Sequence, residues 1–529
     1  MDRSHFGTID SITSLWKALG LPAKALTAIH LPDVDTIGIP SSFKIGHLAQ
    51  ASIALTGLLA ALIYSERQGS EHVPTVTVPL KHALIEFRSE RFFTLGGQRL
   101  PSPWGPIGGL HRASDGYVRV HDSFPNHRAG ALELLGLPED ADRKAVGAKI
   151  APWRCVDLEN AAVDAGVVIA ALRSYEQWDV LPQARAIKDF PIQIKKIAGD
   201  GDADCGAGWW SDSMSMSHDN GNARGSGADK AKDTKALRGL RVLEMSRVIA
   251  APVAGRALAA HGADVLWITS PNLPDQPSLD RDTARGKRTA RLNLDLSHKP
   301  EHNDMETLLS LLDDADVFLQ GYRPGSLAAR GLSCETLVAR RRQNGIKRGI
   351  ICANLSAYGP DGPWSHRRGF DSLVQTCSGM NVSEAEHFRT GDIDQVTAAD
   401  DDDTPPKPTP CQALDHASGY FLAAGIMAAL CRQAHEGGSY EVSVSLAGTM
   451  KYLRSLGQYE GRSGFDHLQC KDHYATIEDI PEEFLEEHMS GFGLLKAVRH
   501  AASIDGVPVG WDLMPKHLGS DEARWLARS

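Results

Sequence analysis

The sequence carries the same helix–turn–strand unit twice, and that repeat limits the fold more than any other feature. "HLAQASIALTGLLAALIYSERQGSEHVPTVTVPL" (47–80) aligns with "DHASGYFLAAGIMAALCRQAHEGGSYEVSVSL" (415–446) through one two-residue gap. Each copy is an apolar helix with a central glycine, Gly57 or Gly425. A polar Gly-containing turn follows, then a short alternating strand, "VTVPL" or "VSVSL". The copies differ at their first residue, where His47 stands opposite Asp415. An acid at the start of an apolar helix has two readings. As a helix cap it accepts hydrogen bonds from first-turn N–H groups. As a nucleophile it is a carboxylate kept ionised by the same groups and by the positive end of the helix dipole.

At 529 residues the chain exceeds one hydrophobic core. The stretch 198–235, rich in Gly, Ser, Asp and Asn, reads as a disordered linker between parts at 1–197 and 236–529. The acidic run 398–410 reads as a solvated loop. A net charge of −10 disfavours nucleic acid and anionic membranes as main partners. Eight cysteines without a CxxC pair, and an N-terminus without an apolar signal core, suit a reducing cytoplasmic setting. The apolar runs Leu48–Tyr64 and Ala417–Cys431 fall short of a spanning helix. No HExxH motif or Cys/His cluster suggests a metal.

The second part reads as an α/β fold with a largely parallel, Rossmann-like sheet. "GLRVLEMS" (239–246), "ADVLWI" (263–268), "ADVFLQ" (315–320) and "GIICANLS" (349–356) are buried strands separated by helical stretches. No GxGxxG follows the first, so a dinucleotide site is not indicated. Three basic loops, at 284–295, 321–331 and 364–371, fall at strand ends and predict a site for a multiply phosphorylated ligand.

The ordered set "GLRVLEMSRVIAAPVAGRALAAHGADV", "RGKRTARLNLD", "ADVFLQGYRPGSLAARGL", "SAYGPDGPWSHRRGFDSLVQTCSG" and "LDHASGYFLAAGIMAAL" resembles the class III CoA-transferase family over about 237–450. The first part resembles the later half of that family through "SDGYVRVHDSFPNHRAGALELLGL" (114–137) and "RSYEQWDVLPQARAIKDFPIQIKKIA" (173–198), similar to its small α+β domain. The tail at 494–525 resembles its closing segment. The resemblance implies two incomplete copies in tandem, with a site built within one chain as a pseudo-dimer or between two chains as a homodimer.

What the family does is then expected here. Asp415 falls at the family's nucleophile, which attacks an acyl-CoA thioester, stores the acyl group as a mixed anhydride and passes through an aspartyl-CoA thioester. Coenzyme A thioester and a small carboxylic acid are substrates, with no permanently bound cofactor. CoA-binding positions carry over to Val248, Ile249, Ala250, Arg288, Leu292, Tyr322, Arg323 and Arg368. Basic or acidic residues that the family has after its second strand are replaced by Trp267, Thr269 and Ser270, a loss for which Arg285, Lys287 or Arg288 could compensate. An α-methylacyl-CoA racemase activity is the alternative. It lacks one proton carrier, because Phe370 replaces the family's histidine, leaving His416 and His366 as nearby candidates. A catalytically silent scaffold is the other alternative.

Overall fold

A computed structural model describes residues 1–34, 36–197, 206–210, 234–295, 303–389 and 405–528. In chain order, the elements that build the site are α1 (Ile45–Arg67), β1 (Val76–Thr77), β2 (Gln193–Lys196), β3 (Arg241–Met245) and α2 (Ala250–Ala260). They continue with β4 (Asp264–Thr269), β5 (Lys287–Arg291), β6 (Val317–Gln320), β7 (Ile351–Ser356) and α3 (Asp371–Cys377). The last are α4 (Ala413–Glu436), β8 (Tyr440–Ser445) and β9 (Ser503–Ile504).

The main sheet has the order β5-β4-β3-β6-β7-β8-β2. All neighbours are parallel except β2, which is antiparallel to β8. Its inner strands read as apolar runs because both faces are covered: Val242, Leu243, Val265, Leu266, Val317, Leu319 and Ile351 are buried. The order turns at β3, with β4 on one side and β6 on the other. At such a switch point the loops leaving the strand ends part and open a crevice.

The repeat is explicit in space. α1 and α4 pack together at the centre of the molecule and run 23 and 24 residues. Both are long and apolar enough to cross a bilayer, contrary to the expectation from their apolar runs, yet 94% and 100% of their most apolar windows lie inside the protein. Their central glycines serve the same contact. A Cβ on Gly57 would come within 2.9 Å of Val76 in β1, and one on Gly425 within 2.6 Å of Val442 in β8. Each helix therefore lies flat on the strand that follows it.

The two halves exchange their closing strands. β2, from the first half, pairs antiparallel with β8, from Tyr440↔Lys196 to Ser443↔Gln193. β9, from the tail, pairs antiparallel with β1, Thr77↔Ser503 and Val76↔Ile504. A buried ionic cluster joins the same parts. Glu86 accepts from Tyr420 Oη at 2.6 Å and from the Ala501 backbone N–H at 2.7 Å, and lies 3.0 Å from His500 Nδ1. Arg256 pairs with Asp282 and donates to Ser89 Oγ at 2.9 Å.

Most of 198–235, and residues 398–404 of the acidic run, lie outside the described residues. Within 206–210, Trp210 is packed: it is buried under the Arg67 guanidinium at 4.4 Å and donates to the Arg238 carbonyl at 2.8 Å, while Gly206 and Ala207 are exposed.

Candidate active site

A cavity of about 550 Å³ opens at the carboxyl ends of β3, β4, β6 and β7. Asp415, Val248, Ile249, Ala250, Leu292, Tyr322, Arg323 and Arg368 all line it, as do Thr269 and Ser270. The first half contributes Phe124, Asn126 and His127, so residues from both parts of the chain meet around one space.

Arg288 is the exception among the expected contacts. It lies on β5 with its guanidinium on the Asp264 carboxylate at 2.9 and 3.0 Å, and it donates to the Arg524 carbonyl. It does not line the cavity. Arg285 and Lys287 are likewise committed, to Asp282 and Glu244. Chain direction explains the correction: Arg285 precedes β5 and Lys287 and Arg288 open it, at the amino end of the strand, whereas the crevice lies beyond the carboxyl ends.

The cavity takes its positive charge from Arg247, Arg323, Arg330, Arg367 and Arg368. Arg367 is held by Glu159 at 3.5 Å. The other four form no ion pair among the described residues; Arg247 stacks on Phe124 at 4.2 Å, and Arg323 reaches only the His366 carbonyl at 3.4 Å. Several uncompensated guanidiniums around one crevice suit a phosphorylated ligand. Arg247 was not singled out from the sequence, although its place directly after β3 was a usable signal. Its Phe124 partner, more than a hundred residues away, was not.

The bend that carries the chain from β3 into α2 is strained. Val248 has φ +75°, a left-handed conformation that a β-branched residue rarely adopts. Such strain persists where packing over-determines it and clusters at functional sites. Val248 and Ile249 thereby lie against the cavity.

Asp415 is the third residue of α4, and it does not cap the helix. The N-cap is Gln412, which makes no side-chain cap bond. The cap comes from α3, where Asp371 Oδ2 accepts the Asp415 backbone N–H at 3.0 Å and Asp371 also accepts from Leu414. Asp371 in turn takes a 2.5 Å hydrogen bond from Gln375. The Asp415 carboxylate accepts no hydrogen bond among the described residues and borders the cavity, with 7% of the residue exposed.

The helix end does not keep this acid ionised. Burial, then the charges of Asp371 and Glu90, push Asp415 well above the usual carboxylate range. Burial likewise pushes Asp371 up to about 6. A helix dipole is worth up to about 2 kcal/mol, less than the desolvation of a buried charge. The N–H of Asp415, already given to Asp371, is also not free to receive an oxyanion.

The sequence-derived histidine candidates fall elsewhere. His416 is fully buried with Nε2 3.0 Å from Glu90, and His366 is exposed; neither lines the cavity. Phe370 instead stacks on His121 from the first half, with ring centroids 3.9 Å apart. Burial pushes His121 down to about 3, and burial with Arg368, Arg247 and Arg323 pushes His127 down to about 4, so both rings are neutral near pH 7. No cluster of three or more His, Cys, Asp or Glu able to hold a metal occurs among the described residues.

The site thus joins a largely parallel sheet, an arginine-lined crevice at its switch point and an acid on the crevice wall. Residues 237–464 match the model of CoA-transferase family III. It is 29% identical over 391 residues to the acetyl-coenzyme A transferase nodX of Hypoxylon pulicicidum, covering 70% of this chain and 59% of that protein. It is 27% identical to an acyl-CoA transferase of Gibberella moniliformis, covering 62% and 53%. To the probable fatty acyl-CoA transferase Rv3272 of Mycobacterium tuberculosis it is 30% identical, covering 40% and 50%. The crystal structure of Rv3272 overlaps 42% of this chain and 58% of its own at a TM-score of 0.34 and 28% identity. The chain thus spans between 50% and 59% of these curated relatives.

Proposed function

We propose that this protein moves CoA from an acyl-CoA donor to a carboxylic acid, with Asp415 as nucleophile. The observation that carries the reading is the Asp415 carboxylate itself: relieved of capping by Asp371, it faces a cavity lined by unpaired arginines. Once the Asp415 carboxyl has released its proton to solvent, its carboxylate attacks the donor thioester carbonyl, and CoA thiolate leaves to give an acyl–aspartyl anhydride. The thiolate then attacks the aspartyl carbonyl, forming an aspartyl-CoA thioester and releasing the donor acid. The acceptor carboxylate attacks that thioester, re-forming an anhydride and freeing the thiolate. Thiolate attack on the acceptor carbonyl gives the new acyl-CoA and restores Asp415. The cycle conserves protons, and coenzyme A enters and leaves as substrate.

In this reading Arg323, Arg368, Arg247 and Arg330 hold the CoA phosphates, and Val248, Ile249, Ala250, Leu292 and Tyr322 pack against its body. The chain is two incomplete copies, 1–197 and 236–529, joined through 198–235, and the exchanged strands support a site completed within one chain. Phe370 carries no exchangeable proton, which favours transfer over racemisation. The test is mass spectrometry of the protein turning over acetyl-CoA in hydroxylamine. A hydroxamate at Asp415 is expected, and an unmodified Asp415 peptide under turnover would overturn the nucleophile.

A further inference from the structure

A second chamber, of about 410 Å³, borders the same carboxylate. Asp415, Val248, Ile249 and Phe370 line both spaces, so the acid stands at their junction. The chamber's wall is largely apolar, from Phe93, Leu100 and Trp104 of the first half and Leu279 and Phe370 of the second. Two polar groups on it have capacity to spare. The Arg91 guanidinium meets only Glu90, at 3.4 Å, and Glu90 is already engaged by His416. Gln276, 7% exposed, donates its amide to the Ser123 carbonyl while its Oε1 has no partner. A buried acceptor left unpaired costs about 1–3 kcal/mol, and a rotation of the amide that turns Oε1 to the chamber would let a ligand donor satisfy it.

We infer that this chamber takes the acceptor of the proposed transfer, and that the acceptor is a bulky monocarboxylic acid with a ring or branched apolar body bearing a hydroxyl. The inference rests on the transfer reading for the word acceptor, but the chamber's ligand class stands on its own walls. The carboxylate lies between Asp415 and Arg91, the body lies on Phe93, Trp104 and Phe370, and the hydroxyl meets Gln276. A second carboxylate finds no free cation, because Arg99, the other arginine of the wall, is held by Glu478. A short dicarboxylate would also leave much of the space unfilled and the apolar wall wet.

Calorimetric titration of wild type and Asp415→Asn with 3-(4-hydroxyphenyl)propionate, 3-phenylpropionate and glutarate tests this without requiring chemistry. The phenolic acid is expected to bind about tenfold or more tighter than glutarate to both proteins. Trp104→Ala, at a residue 39% exposed, should weaken the phenolic acid about fivefold and leave glutarate unchanged. Gln276→Leu should erase the preference for the phenolic acid over 3-phenylpropionate. Glutarate binding as tightly as the phenolic acid, or Trp104→Ala without effect, would overturn the assignment. Phenolic acid that binds yet yields no acyl-CoA from acetyl-CoA would overturn transfer and leave the chamber standing; acyl-CoA formed from glutarate alone would do the reverse.

Discussion

Asp371 accepts the backbone N–H of Asp415 at 3.0 Å, so one carboxylate caps the helix on behalf of another that stands idle beside it. The arrangement separates two jobs that a single acid at a helix start would combine. It also brings two buried carboxyls close enough for the Asp371 charge to disfavour ionisation of Asp415.

Asp415→Asn tests the cost of that proximity. A carboxyl raised in the folded state keeps a proton that the unfolded chain releases near pH 4. Stability therefore falls as pH rises from there to the raised value, and is level beyond it. The amide escapes this loss. Asp415→Asn is expected to bind acyl-CoA, to transfer nothing, and to melt at or above the wild-type temperature at pH 7, with the gap closing toward pH 4. A variant melting below wild type at pH 7 would refute the repulsion.

Asp371 predicts a split between two substitutions. Asp371→Ala removes the cap and should cost about 0.5–2 kcal/mol in denaturant unfolding. Asp371→Asn retains an acceptor but removes the charge, so Asp415 should ionise at lower pH. The rising limb of kcat/KM against pH should move to lower pH in Asp371→Asn, a shift that a purely structural role would not produce.

Arg323→Ala should weaken acyl-CoA binding by about 1.5–3 kcal/mol, roughly ten- to hundredfold, with little change in single-turnover rate. Added salt should shrink the difference, because the lost contact is ionic. An unchanged KM with a collapsed kcat would place Arg323 at the thioester instead.

Glu86→Ala leaves Arg256 and His500 facing a buried gap and should cost about 3–5 kcal/mol. His500 and Arg256 hold Glu86 below the usual carboxylate range despite its burial. A lowered acid contributes stability that is present above its ordinary value and lost as pH falls through the lowered one. The penalty of the substitution should therefore shrink in acid, as urea midpoints measured against pH will read.

The periodic parts of this chain were legible in its sequence. The repeated helices, their glycines and the parallel strands follow from apolar spacing, and seven of the eight expected CoA contacts share one cavity. Arg288 was misplaced because its partner Asp264 lies on the neighbouring strand, a pairing that strand order decides. That Asp371 caps the helix in place of Asp415 was not legible, because Asp371 arrives from 44 residues away. The second chamber was hidden for the same reason, since its walls come from segments that local patterns leave irregular.

The exchanged closing strands have a consequence for synthesis. When the first half leaves the ribosome, β1 has no antiparallel neighbour, and none exists until Ser503 and Ile504 are made. A pairing across more than 400 residues is a slow contact to form, and the apolar helix α1 must wait beside an open edge meanwhile. Until β9 is made this edge of β1 stays open, and a stop before Ser503 would release a first half that lacks its partner strand.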